Sequence, residues 1–493
     1  MTTARSATSY VSPVGAATGA VRRPTGTSPS APRGLREVVF FAAGAGLVAS
    51  VGGALGLFFL NVSNGPFYAS ALLFIALLLT GVIIAAQPGS TFGGPPLLAL
   101  LSYVAFIGAG PLFSLARRWG YELPDVGTGY SQLVAWAGIG CMLLGYLAVR
   151  DRRPKSPKKD EHGLNPHIIL YVGLLYTLVG IGAIVAYLSV VGGVQYLLET
   201  PYGIRRNPSV YAGGFGLLRP GLFLLLAWVL EEARGRIWFF LLLFYAIGDI
   251  MWFGPLHGSR HHVLTLLLTL AYLTRRNLKS RFGRASMPAR RLLIVAAVAL
   301  VVTWGFLRVF SIAELAGSRI SSGELAEGTT AATLAAFHAP FDAFVKIVTR
   351  VPDASPYLYG SSFYESLTMV IPRNFWSAKP LGLGGWLEMT WYGGGFGNSV
   401  PTWPGELYLN FGLPGVVLGM FLTGMLLKWM ARNSPPRQAI VRGSVFRCLP
   451  YAASFPLVLD LLWGSSNSAV WYFWLNIFPV LVALRLAGRR RGS

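Results

Sequence analysis

Three short runs in the second half of the chain carry the side chains best suited to chemistry. Ile371-Pro372-Arg373-Asn374-Phe375-Trp376-Ser377-Ala378-Lys379-Pro380 sets two cations and an indole in one segment. Pro404-Gly405-Glu406-Leu407-Tyr408 puts a carboxylate and a phenol at the edge of an apolar run, and Ser318-Arg319-Ile320 adds a third cation. A guanidinium binds phosphate oxygens in pairs, so several together can hold a pyrophosphate. A carboxylate where a chain enters a membrane, near arginines and aromatics, can be poised as a general base. Its simpler use is to pair with an arginine and pin its loop.

The composition states what kind of elements must hold these runs. Of 493 residues, 54% are hydrophobic and 12% charged, against about 25% charged in soluble domains. With a positive mean hydropathy, this is an all-α polytopic membrane protein and not a water-soluble globule. The formal charge of +22 does not point to nucleic acid, because the basic residues sit in short runs between apolar stretches, where the positive-inside rule accounts for them. Cys141 and Cys448 lie far apart in apolar segments, so neither a disulfide framework nor a Cys-based metal pattern is present.

Residues 1–36 are rich in Ser, Thr, Pro, Gly, Ala and Arg, a composition that cannot bury a core and predicts a disordered cytoplasmic tail. Residues 37–309 predict nine transmembrane helices: Val38–Leu60, Phe67–Ala86, Leu97–Leu115, Leu133–Ala148, His167–Val190, Phe215–Leu230, Ile237–Phe253, Val263–Leu273 and Leu292–Val309. Residues 310–406 form a long periplasmic or extracellular loop. Residues 407–493 add Leu407–Leu427, Ser444–Leu462 and Trp471–Leu486, giving about 12 spans of a hydrocarbon core about 30 Å thick. With both termini cytoplasmic, the basic runs at 150–159 and 275–291 stay inside. Losing one span would move one of those runs outside.

Under this topology Arg205, Arg206, Arg260, Arg319, Arg350, Arg373 and Lys379 lie on the external face, with Glu365, Glu388 and Glu406. Cations are disfavoured there, so the set suggests an anionic ligand arriving from the bilayer or periplasm; local ion pairs and lipid head groups are the plainer uses. In the long loop Leu334, Phe337, Phe341, Phe344, Val345 and Val348 recur at helical spacing, with His338, Asp342 and Lys346 on another face. That pattern predicts an amphipathic helix lying in the interface. Asp249 and Asp460 are acids near helix ends. His257, His261 and His262 have no carboxylate or Cys beside them, so no metal site is expected. No Asp-x-Asp motif occurs, so a metal-bound nucleotide sugar is not indicated, and no cofactor is expected.

Ile371-Pro372-Arg373 with Trp376 and Lys379-Pro380, followed by Gly405-Glu406-Leu407-Tyr408-Leu409-Asn410-Phe411-Gly412-Leu413-Pro414-Gly415, resembles the Wzy-type oligosaccharide repeat-unit polymerases, the O-antigen polymerase family. The Gly258-Ser259-Arg260 turn and an arginine-bearing earlier loop are similar to it as well. The resemblance implies a metal-independent glycosyltransferase that moves a growing glycan from undecaprenyl diphosphate to an incoming lipid-linked repeat unit on the outer face of the cell membrane. It implies a catalytic base at Glu406 and a leaving-group cation at Arg373. Arg205, Arg206, Arg260, Arg319 and Lys379 would bind diphosphate, and Trp376 and Tyr408 sugar rings. Its expected partners are the lipid-linked oligosaccharide, membrane lipid, a chain-length regulator and a flippase. An O-antigen-ligase-type transferase and a lipid-linked oligosaccharide flippase remain alternatives. Neither the sugar nor the polymer can be read from these residues.

Overall fold

The computed structural model describes residues 128–150, 164–193, 212–232, 236–251, most of 340–391, 400–433 and 444–488, with isolated helical positions within 43–103 and 265–273. Every regular element among them is helical. In chain order these are α1 (Thr128–Ala148), α2 (Pro166–Val191), α3 (Ala212–Gly216), α4 (Leu218–Glu231) and α5 (Arg236–Met251). A helix over 340–350, α6, follows, then α7 (Ser361–Thr368), α8 (Leu383–Trp391) and a long helical stretch, α9 (Trp403–Asn433). After a 3-10 turn at Val445–Cys448 come α10 (Leu449–Ala453), α11 (Phe455–Trp463) and α12 (Ser466–Tyr472), then a π turn at Phe473–Ile477 and α13 (Phe478–Gly488). Among the described residues six stretches are long and apolar enough to cross a membrane: Tyr130–Ala148, Pro166–Val190, Gly214–Glu231, Trp403–Asn433, Val445–Trp463 and Ser466–Gly488.

Helix α2 follows its sequence closely. Asn165 caps it by accepting from the His167 N–H, Pro166 takes the first turn, and Gly192 ends it in the left-handed region at φ 97°, as such termini favour. It is apolar all round, and only 17% of its span is buried, against 72% for Gly214–Glu231 and 83% for Val445–Trp463. The last two form the centre of the bundle and α2 a lipid-facing flank. Asp249, an isolated acid in the sequence, forms a buried ion pair at 3.4 Å with Arg219, tying α5 to α4. Nearby, Tyr245 donates to the Leu218 carbonyl at 2.7 Å.

The expected single span at 407–427 is not what forms. Gly412 interrupts α9 with φ 64° and ψ −156°, a conformation that suits glycine, and Pro414 supplies no N–H. The chain reverses there. A Cβ at Gly415 would meet Phe411, one at Gly419 would meet Leu407, and the Trp403 indole N–H donates to Thr423 Oγ at 2.9 Å. These pairs step in opposite directions, so Trp403–Phe411 folds back antiparallel along the start of Leu413–Asn433. The reversal frees the Leu409 and Asn410 carbonyls, which accept from the Leu358 and Tyr359 N–H groups at 3.0 and 3.2 Å. The long arm packs parallel to α1 through glycines: a Cβ on Gly145 would strike the Phe421 carbonyl, and one on Gly424 the Met142 carbonyl. Small residues at such spacing let helix backbones meet.

The amphipathic stretch is helical over 340–350, and Asp342 and Lys346 pair at 3.1 Å. Its apolar face is covered by protein and not by a head-group layer. Phe341, Phe344, Val345, Ile347 and Val348 are buried, and Phe344 and Ile347 press on Gly405. Leu334, Phe337 and His338 lie outside the described residues, as do the tail at 1–36 and the span expected at 292–309; of the span expected at 38–60 only isolated helical positions are described.

Candidate functional site

Glu406 sits in the first turn of the short arm. Thr402 accepts from the Gly405 N–H through its hydroxyl and from the Glu406 N–H through its carbonyl, which starts the helix. Glycine is needed before Glu406 because Thr402, Ile347 and Phe344 all lie within 3.4 Å of where a Cβ would be. The carboxylate is fully buried. Its Oε1 accepts from Ser362 Oγ at 2.7 Å and Ser466 Oγ at 2.6 Å, and its Oε2 from the Ser466 N–H at 2.6 Å. Three donors offset part of the cost of burying a carboxylate.

Asn410, one turn on, completes the cluster. Its amide nitrogen donates to Ser362 Oγ and to the Glu406 carbonyl, both at 2.8 Å, and its oxygen accepts from the Gly360 N–H at 2.8 Å. Ser366 Oγ lies 2.6 Å from Ser466 Oγ. Ser366 Oγ also lies 2.8 Å from the Ser362 carbonyl, so its one proton goes either to that carbonyl or to Ser466; only in the second rotamer, with Ser466 donating to Glu406, do the two hydroxyls form a chain ending on the carboxylate. Glu365, on the same short helix, is close enough to interact electrostatically with Glu406, and partial burial raises its own carboxyl above the usual range.

The height of the cluster in the bundle follows from the helix that Ser466 begins. Ser466–Gly488 is a 23-residue apolar stretch, about 34 Å at 1.5 Å per residue, enough to cross the hydrocarbon. Glu406 is therefore level with one end of that span. At the other end the Ala487 carbonyl accepts from the Asn165 N–H at 3.1 Å, just after the basic run at 150–159. The cluster and Asn165 lie at opposite ends of that span.

No family model, curated protein or solved structure matches this chain.

The other expected site residues separate into distinct situations. Lys379 is buried, and its ammonium donates to the Met369 and Ile371 carbonyls at 2.7 and 2.8 Å; it straps the turn after α7. Tyr408 is 4% exposed, so its ring belongs to the core and presents no face for a sugar. Trp376 is half-buried. Arg350 lies over the Trp391 ring at 5.6 Å, joining α6 to α8. Arg205, Arg206, Arg260, Arg319 and Arg373 lie outside the described residues, as do His257, His261 and His262. Among the described residues no three His, Cys, Asp or Glu side chains converge.

Sequence reading missed Ser362, Ser366, Ser466 and Asn410 as parts of the site. Asn410 was findable, since it follows Glu406 by one helical turn, and so was the Ser362/Ser366 pair at the same spacing. Nothing local announces Ser466. Its neighbourhood reads as a loop before a span at 471, whereas the helix starts at 466.

Proposed function

We propose that this protein is a metal-independent glycosyltransferase of the cell membrane that polymerises undecaprenyl-diphosphate-linked repeat units into a surface polysaccharide on the outer face. The observation that carries the reading is Glu406: a carboxylate held by three donors, level with one end of a span whose other end meets Asn165, the residue that in sequence soon follows the basic run at 150–159. Positive-inside orientation puts the Glu406 end outside, and the parallel packing of α1 and the long arm of α9 agrees with a topology of about 12 spans. Such a transfer needs a base where a lipid-borne substrate presents its sugar.

In this reading the acceptor hydroxyl attacks the anomeric carbon and the bond to the diphosphate breaks. The proton passes to Glu406, directly or through the Ser366 and Ser466 hydroxyls. Arg373, with Arg205, Arg206, Arg260 and Arg319, stabilises the charge on the departing diphosphate. Lys379 acts by holding its segment in place.

The test is a glycan gel from cells carrying variants of the full chain. Arg373→Ala and Glu406→Gln should each abolish long-chain glycan while lipid-linked single repeat units accumulate and the protein still inserts. Normal chain lengths in both variants would overturn the site. Polymer retained on the carrier and not passed to its final acceptor would favour the ligase alternative, and repeat units confined to the inner leaflet the flippase.

A further inference from the structure

Helix α7 is turned the wrong way for a segment lying in water. Ser362 and Ser366 point inward to Glu406 and Ser466, while Tyr364 and Leu367, on the opposite side, are each 66% exposed. The apolar face continues through the next turn with Ile371 and Phe375, 39% and 84% exposed. Lys379 ties down the end of α7 by its bonds to the Met369 and Ile371 carbonyls. Glu365, the one acid of α7, lies toward the Glu406 side and leaves the outer face uncharged.

Two contacts fix the height of this face. Ser366 meets Ser466, the first residue of a span. The Phe363 ring lies between those of Trp403 and Phe411, at 5.9 and 6.2 Å, which sets α7 alongside the short arm and the first turns of the exposed stripe Leu413, Val417, Leu418 and Leu422 on α9. The apolar face of α7 thus continues the exposed apolar surface of the bundle over the first turns of the long arm. We propose that α7 lies on the bilayer, with Tyr364, Leu367 and Ile371 inserted among the acyl chains just below the head groups of the leaflet on the Glu406 side. A polar face can be turned inward because the serines are satisfied by Glu406, and an apolar face outward because lipid covers it. The segment would then act as a monotopic foot beside the candidate site. This inference rests on the spanning helices and the Ser466 contact, and not on the chemistry proposed for Glu406.

The experiment uses the full chain with Cys141→Ala and Cys448→Ala, reconstituted in phosphatidylethanolamine and phosphatidylglycerol vesicles. One nitroxide is placed at a time through Tyr364→Cys, Leu367→Cys or Ile371→Cys. Leu418→Cys, on the lipid-facing stripe, and Asp353→Cys, at an exposed acid, are the references. Power saturation with oxygen and with a water-soluble nickel chelate should give oxygen-to-nickel accessibility ratios at the three positions close to that at Leu418 and several-fold above that at Asp353. Ratios matching Asp353 would place the face in water and overturn the proposal. Shielding from both reagents would mean that protein covers it, which also overturns it. The three side chains are exposed, so each variant retains the fold and reads the same surface independently.

Discussion

The two arms of α9 are built from one continuous stretch of sequence and held by opposite physics. The long arm, Leu413–Asn433, is seated by shape: its Gly424 and the Gly145 of α1 let the two backbones meet with nothing between, and Leu418 and Leu422 face outward. The short arm, Trp403–Phe411, is seated by direction: Glu406 and Asn410 are fully buried and engage donors and acceptors from residues 360–366 and 466. Lipid offers an apolar helix no hydrophobic gain from pairing, so close packing must hold the long arm. A buried carboxylate and amide must find every partner, so the short arm is specified by a hydrogen-bond list. Function is most naturally placed on the short arm, where polar groups are already aligned.

The sharpest way to break this contrast is Gly424→Leu. Its side chain has only the Met142 carbonyl and the Tyr146 N–H to enter. It should separate α1 from the long arm at a cost of about 3 kcal/mol or more, seen as early unfolding in a denaturing-detergent titration. Hydrogen exchange at Leu358, Tyr359 and Gly360 should change less than the helix–helix contact does. If those amides open first, the two arms are not independently held.

Asn410→Ala should produce the reverse pattern. It removes the partners of Gly360 N–H and Ser362 Oγ at a cost of about 1–3 kcal/mol. Exchange at 358–366 should rise while the α1 contact persists. Ser366→Ala should have the smallest effect, about 1 kcal/mol, because the three donors to Glu406 remain. It also distinguishes a proton path from a staple. If the hydroxyl chain carries the proton, glycan length falls in Ser366→Ala by more than the stability change accounts for; if Glu406 only pins the segment, glycan length follows stability.

Much of the scaffold was legible. Asn165 and Gly192 bracket α2 where the apolar run begins and ends, and the Phe341/Phe344/Val345/Val348 spacing marks α6. The reversal at Gly412 was written in Gly412 and Pro414, yet the apolar run continues through both, so hydropathy reads one span where the chain makes two arms. At the site, Glu406 stood out as a charge beside an apolar run. Its partners did not, because serine is common in loops and carries no local signature of being a donor to a distant acid. Lys379 and Tyr408 were read by residue type as ligand groups, and their surroundings assign them to a strap and to the core.

By itself the sequence determined the class of protein, the apolar helices and the presence of a carboxylate where the chain enters the bundle. Hydropathy and helical period act between near neighbours and need no tertiary context. The tertiary structure decided what that carboxylate touches. Ser362 lies 44 residues before Glu406 and Ser466 lies 60 after it, and only the reversal at Gly412 and the turn before Ser466 bring them within hydrogen-bond range. Hydrogen bonds act over about 3 Å, so a site made of them exists only once the backbone has set every group in place.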